Sequence, residues 1–306
     1  MEKIKIIFIG TDPIGKELLR VLSKLFDVKL VVTGQDKPAG RKLQLQPSPI
    51  KLAAEELGLE VFQPLDINAE LSVRRLSNLN PDMMVIMAYG QILSQEVLGI
   101  PKIDSINVHA SLLPKFRGAS PIQSAILNMD KKTGISVMRM VRQMDAGPVY
   151  RQFELPIEPT DSARTLSIKL AELSAKEVPR TLVDIEMQGL LASNQDESKV
   201  TYCGKIAKAD GRIDWKKPAN EIMAQMRAFD LWPGTYTFLG EKRVKVISAE
   251  SHESNLSGEP GLVKREGIIC GSGYLVPLGL QIEGGNAQSF HDFINGHPDF
   301  IGSHLA

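Results

Sequence analysis

The first half of the chain alternates short apolar runs with longer segments that carry their apolar residues on one helical stripe. Residues 4–9 are rich in isoleucine; Gly10-Thr11-Asp12-Pro13 follows, and then Leu18, Leu19, Leu22 and Leu25 at helical spacing, which reads as strand, turn and helix. The same alternation predicts strands over 28–33, 83–88 and 105–108, and helices over 49–57, 71–79 and 121–128. Two more strands, over 134–141 and 148–155, are expected near the sheet edge, ahead of a long helix over 162–187 broken or bent at Pro179. Strands that are apolar on both faces and separated by helices predict a Rossmann-like α/β domain with a mostly parallel sheet covered on both sides.

Past this point the pattern changes. Residues 188–198 are small, polar and aperiodic, the composition of a linker. Short runs over 234–239, 243–249, 261–265, 267–270 and 273–278 are punctuated by glycine, which predicts a small β-barrel or sandwich of about 100 residues. The expected organisation is a first domain over 1–189, a linker over 190–205 and a barrel domain over 206–306. A length of 306 residues agrees with two domains.

Composition narrows the function classes. With 43% hydrophobic and 24% charged residues the chain is an ordinary folded protein, and 36 Lys+Arg against 36 Asp+Glu leave no net charge. Any polyanion must therefore be held by a local patch. Two stretches could form one: the loop over 35–51, with Lys37, Arg41, Lys42 and Lys51 against Asp36, and the cluster of Lys199, Lys205, Lys208, Arg212, Lys216 and Lys217, offset by Asp210 and Asp214. Each reads equally as a solvated surface or as a phosphate-contacting edge. Cys203 and Cys270 are too few and too far apart for a disulfide framework or a Cys-x-x-Cys metal site, so a reducing, cytoplasmic compartment is expected. No run approaches the roughly 18 to 20 apolar residues of a membrane span.

Candidate chemistry concentrates in one segment. The turn from Gly10 to Glu17 resembles a phosphate-binding loop until its last position, where a carboxylate replaces the hydroxyl that would bind magnesium; nor does it match the dinucleotide fingerprint. By contrast, Asn107 and His109 are two apart on a predicted strand, so both face one side at its carboxyl end, where open α/β sheets bind ligands. His109 reads as a satisfied core histidine or as a catalyst, and the amide of Asn107 beside it is a donor suited to a developing oxyanion. Asp145, in Asp145-Ala146-Gly147-Pro148, either closes a turn through its own backbone or orients His109 and takes part in proton movement. The other histidines lack metal-ligand spacing, and no metal is expected.

Taken in order, Phe8-Ile-Gly10-Thr, Pro38-Ala-Gly-Arg41, Pro47-Ser-Pro-Ile-Lys51, Met87-Ala-Tyr-Gly-Gln-Ile92, Asn107-Val-His-Ala-Ser-Leu-Leu-Pro114, Arg117-Gly-Ala-Ser-Pro-Ile-Gln123 and Asp145-Ala-Gly147 resemble the methionyl-tRNA formyltransferase family, within the larger group of enzymes that use 10-formyltetrahydrofolate. Lys205-Ile-Ala-Lys208, Ile213-Asp-Trp215 and Arg227-Ala-Phe-Asp-Leu-Trp-Pro-Gly234 carry the resemblance into the second half. One departure is Leu43-Gln-Leu-Gln46, where some relatives have a Gly-Lys-Lys type run.

The resemblance implies a formyl-folate-binding α/β domain followed by an oligonucleotide-binding-type barrel. It places catalytic roles on Asn107, His109 and Asp145. Folate binding falls on Ser111, Leu112, Leu113 and Pro114 and on Met87, Tyr89, Gly90, Gln91 and Ile92, and tRNA contacts fall on Lys37, Arg41, Lys42 and Lys208. Its implied substrates are 10-formyltetrahydrofolate, with no metal, and initiator methionyl-tRNA, used by a monomer. Relatives of the same folate-binding half formylate a small amine, such as an amino sugar nucleotide or glycinamide ribonucleotide, or hydrolyse the donor. The barrel-like second half and the basic loop favour tRNA.

Overall fold

In a computed structural model of the chain, the structure describes residues 3–39, 44–254 and 256–306, and these fall into two compact units. The first comprises Met1–Pro121, Lys132–Pro156 and Ser167–Cys203; the second comprises Ile122–Lys131, Ile157–Leu166 and Gly204–Ala306.

The strands of the first unit are β1 (Lys5–Gly10), β2 (Asp27–Val32), β3 (Lys37–Ala39), β4 (Gln44–Gln46), β5 (Val61–Phe62), β6 (Met83–Met87), β7 (Asp104–His109), β8 (Arg117–Gly118), β9 (Lys132–Arg139), β10 (Val149–Pro156) and β11 (Tyr202–Cys203). Seven of them form one sheet in the order β10-β9-β7-β6-β1-β2-β5. From β5 to β7 all neighbours are parallel, while β9 and β10 are antiparallel at one edge. This is the mostly parallel α/β sheet that the apolar runs predict. Ile6, Ile7, Phe8, Ile9 and Met83, Met84 and Val85 have no solvent exposure, as strands covered on both faces require.

Helix Lys16–Leu25 buries Leu18, Leu19 and Leu22, while its last residue, Leu25, is exposed. Helix Pro49–Glu56 starts where the sequence offers a cap: the Ser48 hydroxyl accepts from Lys51 N at 3.0 Å, with Pro49 at the first helical position. The loop expected over 35–51 contains the two short strands β3 and β4, paired antiparallel from Lys37 opposite Gln46 to Ala39 opposite Gln44.

The helix expected to be broken or bent at Pro179 is one helix, Ala163–Gln188, with no break there. Proline removes one backbone donor there, but Leu166, Leu170, Val178 and Leu182 keep one buried stripe across it, and that packing outweighs the lost hydrogen bond. The stretch read as a linker over 190–205 is engaged with the first unit up to Cys203. Ser193 exchanges two backbone hydrogen bonds with Val149 (2.8 and 2.9 Å), Gln195 and Glu197 bind Arg117, and β11 pairs in parallel with β8. Its polar composition reflects these hydrogen bonds as well as solvent.

The second unit holds β12 (Thr235–Leu239), β13 (Lys242–His252), β14 (Val263–Lys264), β15 (Gly267–Ile269) and β16 (Tyr274–Ile282), an antiparallel sheet in the order β12-β13-β16-β15-β14. Residues 302–306 join its two edges. Phe238 on β12 and Ala306 exchange backbone hydrogen bonds at 2.9 and 3.0 Å, while Val263 N donates to Ser303 O and Gly302 N to Val263 O at 2.9 and 2.8 Å. The sheet is thereby closed into a small five-stranded barrel. Its core packs Val244, Val246, Ile268, Leu275 and Leu280 with Trp215, Phe293 and Phe300. The indole of Trp215 donates to Thr237 Oγ1 at 2.9 Å inside that core.

Candidate active site

Because β1, β6 and β7 are parallel, their last residues, Gly10, Met87 and His109, emerge along one edge of the sheet, with Ile86 in register with Asn107. Asn107 and His109 sit two apart on β7 and are 9% and 7% exposed. Asp145 comes to them from the turn between β9 and β10, with a backbone φ of +50°. That left-handed conformation is uncommon for a residue other than glycine and marks a turn held in place by its surroundings.

The three side chains meet. Asn107 Nδ2 donates to Asp145 Oδ1 at 3.3 Å, and His109 Nδ1 lies 3.6 Å from Asp145 Oδ2. Gly118 N donates to Asp145 Oδ2 at 2.9 Å, so the carboxylate is not merely closing its own turn. On the far side of the imidazole, Nε2 is 2.9 Å from the Phe116 carbonyl. A carbonyl can only accept, so Nε2 carries a hydrogen, and in the neutral ring Nδ1, on the carboxylate side, is the acceptor nitrogen. Phe116 also has a left-handed backbone, at φ +59°.

The segment after β7 is fixed through Ser136 on β9. Its hydroxyl donates to Ser111 O at 2.6 Å and accepts from Leu113 N at 3.0 Å, while Gln152 Nε2 reaches both Leu113 O (2.7 Å) and Ser136 Oγ (2.9 Å). Ser111 is fully buried, and its own hydroxyl donates to Lys115 O at 2.6 Å. The Leu113–Pro114 peptide is cis. Leu112 and Pro114 are half-buried on the same stretch.

The segment after β6 departs from the same edge. Met87 is buried, Ala88 and Gly90 have φ of +51° and +96°, and Ile92 is exposed. Thr11 ties this stretch to the turn after β1: its N–H donates to Ala88 O at 3.1 Å and its hydroxyl to Tyr89 O at 2.9 Å. Asp12 caps the short helix that follows by accepting from Ile14 N at 3.0 Å. Gln91 turns its side chain to the chain at 64–67, accepting from Ile67 N at 3.0 Å and donating to Leu65 O at 3.3 Å. The Tyr89 hydroxyl is buried without a hydrogen-bond partner among the described residues, and desolvation with the nearby Asp66 charge pushes its pKa up to about 12.

Sequence profiles agree with this geometry in both halves of the chain. One described as formyl transferase matches residues 3–182, and one described as formyl transferase, C-terminal domain, matches residues 205–298. The chain belongs to the formyl transferase family.

Among its relatives, a methionyl-tRNA formyltransferase of Marinobacter nauticus is 38% identical over 299 residues, covering 96% of each chain. A methionyl-tRNA formyltransferase of Akkermansia muciniphila is 39% identical over 312 residues, covering 99% of each. A solved N-formyltransferase from Helicobacter canadensis, in complex with folinic acid and dTDP-3-aminofucose, shares the fold at 18% identity and a TM-score of 0.65, over 94% of this chain and all of that one.

The basic residues expected at a nucleic-acid edge fall on both units. Lys37 is exposed on β3, and Lys208 is exposed in the second unit, on the short helix Lys208–Gly211. Arg41 and Lys42 lie outside the described residues. Lys51 is paired with Asp36 at 2.7 Å, and that hydrogen bond, with a second from Gln63, holds the Asp36 carboxyl below its usual range. Of the residues that sequence reading passed over, Gly118 had a signal, since it lies inside the Arg117-Gly118 motif. Ser136 and Gln152 had none, because their roles arise only when β9 and β10 fold against β7.

Proposed function

We propose that this formyl transferase passes the formyl group of 10-formyltetrahydrofolate to the α-amine of methionyl-tRNA. The observation that carries the reading is the convergence of Asn107, His109 and Asp145 at the carboxyl edge of the sheet. Relatives that are 38% and 39% identical over 96% and 99% of both chains, named methionyl-tRNA formyltransferases, support the choice of amine. The residues present fit a formyl-folate: the segments 87–92 and 111–114 flank the trio, and the unpartnered, buried Tyr89 hydroxyl is a polar group that a heterocycle can satisfy. Met87, Tyr89, Gly90, Gln91 and Ile92 would hold it with Ser111, Leu112, Leu113 and Pro114, Gln91 through its backbone. When bound, the donor supplies an electrophilic formyl carbon.

Asn107 keeps one Nδ2 hydrogen for the oxygen on which negative charge develops, and the other on Asp145 holds the amide's orientation. Such a donor contributes about a hundredfold to a thousandfold in rate. As the amine nitrogen bonds the formyl carbon, His109 accepts its proton at Nδ1 and the Asp145 carboxylate at 3.6 Å stabilises the resulting imidazolium. That proton passes to the folate nitrogen as its bond to the formyl carbon breaks and tetrahydrofolate leaves. Burial of Asn107 and His109 keeps water from weakening these interactions. Lys37, Arg41, Lys42 and Lys208 supply cations for tRNA phosphates, which position the substrate without building the folate pocket.

The test is transfer of labelled formyl with methionyl-tRNA, uncharged tRNA, glycinamide ribonucleotide and an amino sugar nucleotide offered in parallel. Label on methionyl-tRNA alone is expected. Label on a small amine, or released as formate, overturns the choice of acceptor.

A further inference from the structure

The turn that carries Asp145 is gripped by a side chain with no part in the chemistry above. Gln195 Nε2 donates to Asp145 O at 2.8 Å and to Gly147 O at 2.7 Å. Its Oε1 accepts two hydrogen bonds from Arg117, at 3.0 Å from Nε and 2.9 Å from Nη2. Both amide hydrogens and both oxygen lone pairs are therefore engaged, which fixes the amide with its oxygen to the guanidinium and its nitrogen to the turn.

Arg117 is itself a rigid brace. Its side chain has no solvent exposure, and Glu197 holds it from the outside at 2.7 and 3.3 Å. The next residue, Gly118, donates its N–H to Asp145 Oδ2. One short stretch of chain thus holds Asp145 at two points, its carboxylate through Gly118 and its backbone through Gln195. The held backbone is the left-handed one, and Gly147 is pressed so close to Arg139 O that a Cβ there would sit 1.9 Å from it.

We propose that Gln195, braced by Arg117, is a positioning residue of the formyl-transfer site, fixing the turn so that the Asp145 carboxylate stays between Asn107 and His109. The kinetic half of this inference rests on the function proposed above; the structural half does not. Gln195→Glu separates positioning from folding, because a glutamate still accepts from Arg117 but cannot donate to Asp145 O or Gly147 O. Gln195→Met is the second variant, removing both sets of hydrogen bonds without adding charge.

The experiment measures single-turnover formyl transfer, KM for both substrates, thermal unfolding, and the Gly118 amide resonance of the resting protein by nitrogen–proton correlation NMR. The expected result is a rate lower by about tenfold to a hundredfold, as a small displacement of a catalytic group produces. KM should stay within about twofold, because the loss falls on the transition state. The Gly118 signal should move in a protein that is still folded. An unmoved Gly118 signal with wild-type rates overturns the proposal, as does a rate that falls only in step with the unfolded fraction. If the wild-type chain formylates no methionyl-tRNA, the functional reading fails while the Gly118 signal still decides whether Gln195 holds Asp145.

Discussion

The two units carry their candidate functional groups in opposite ways. At the sheet edge of the first, Asn107 and His109 are buried, and the trio with Asp145 is bound to itself and to the backbone of Phe116 and Gly118. On the second, Gly211, Ile213 and Trp215 alternate inward while Arg212, Asp214 and Lys216 alternate outward, and Lys205, Lys208 and Lys217 are exposed with them. Nearby, the guanidinium of Arg212 lies over the Phe238 ring and that of Arg243 over Tyr236, at 5.4 and 5.5 Å from the ring centres. A buried, pre-oriented constellation acts on the rate of a chemical step. Exposed cations beside aromatic rings act on encounter and affinity, and their effect fades with salt.

This contrast can be broken in several ways. The largest effect belongs to His109→Ala and Asp145→Ala, each expected to slow single-turnover transfer by about a hundredfold to ten-thousandfold with little change in tRNA affinity. A comparable loss of affinity would mean that the edge binds and does not catalyse. Next in size, Thr237→Val leaves the buried Trp215 indole without its acceptor and should cost the barrel about 1–3 kcal/mol in denaturant unfolding. Chemistry measured at saturating substrate should survive it.

Smaller again, Lys208→Ala and Lys37→Ala should each raise KM for tRNA severalfold and lower the salt slope of binding by about 1, leaving kcat unchanged. A salt slope equal to that of the wild type would remove the residue from the interface. The smallest effect is chemical. Burial pushes the Cys270 thiol up to about 12, so it should resist alkylation by iodoacetamide at pH 8 until the barrel is unfolded. Rapid labelling of Cys270 in the native protein would show that the barrel core opens.

Much of the first unit was legible from the sequence because its signals are local. Apolar runs marked β1, β2, β6 and β7, helical spacing marked the helix over 49–57, and Asn107 with His109 declared a shared face by their spacing. What stayed hidden depends on contacts across long stretches of chain. Gln195 lies in a polar stretch with the composition of a linker, and its task appears only when that stretch folds back onto Arg117 and Asp145. The closure of the barrel by residues 302–306 left no periodic trace, since backbone hydrogen bonds close it. At Pro179 the converse holds: a local rule that would break the helix there yielded to a buried stripe that runs past it.

The most direct test of this division sets Asn107→Ala beside Lys208→Ala in one assay, measuring kcat and tRNA KM for formyl transfer at two salt concentrations. The account predicts that Asn107→Ala loses about a hundredfold to a thousandfold in kcat at unchanged KM, and that Lys208→Ala does the reverse, raising KM with kcat intact. An Asn107→Ala enzyme with full kcat would contradict the assignment of catalysis to the sheet edge.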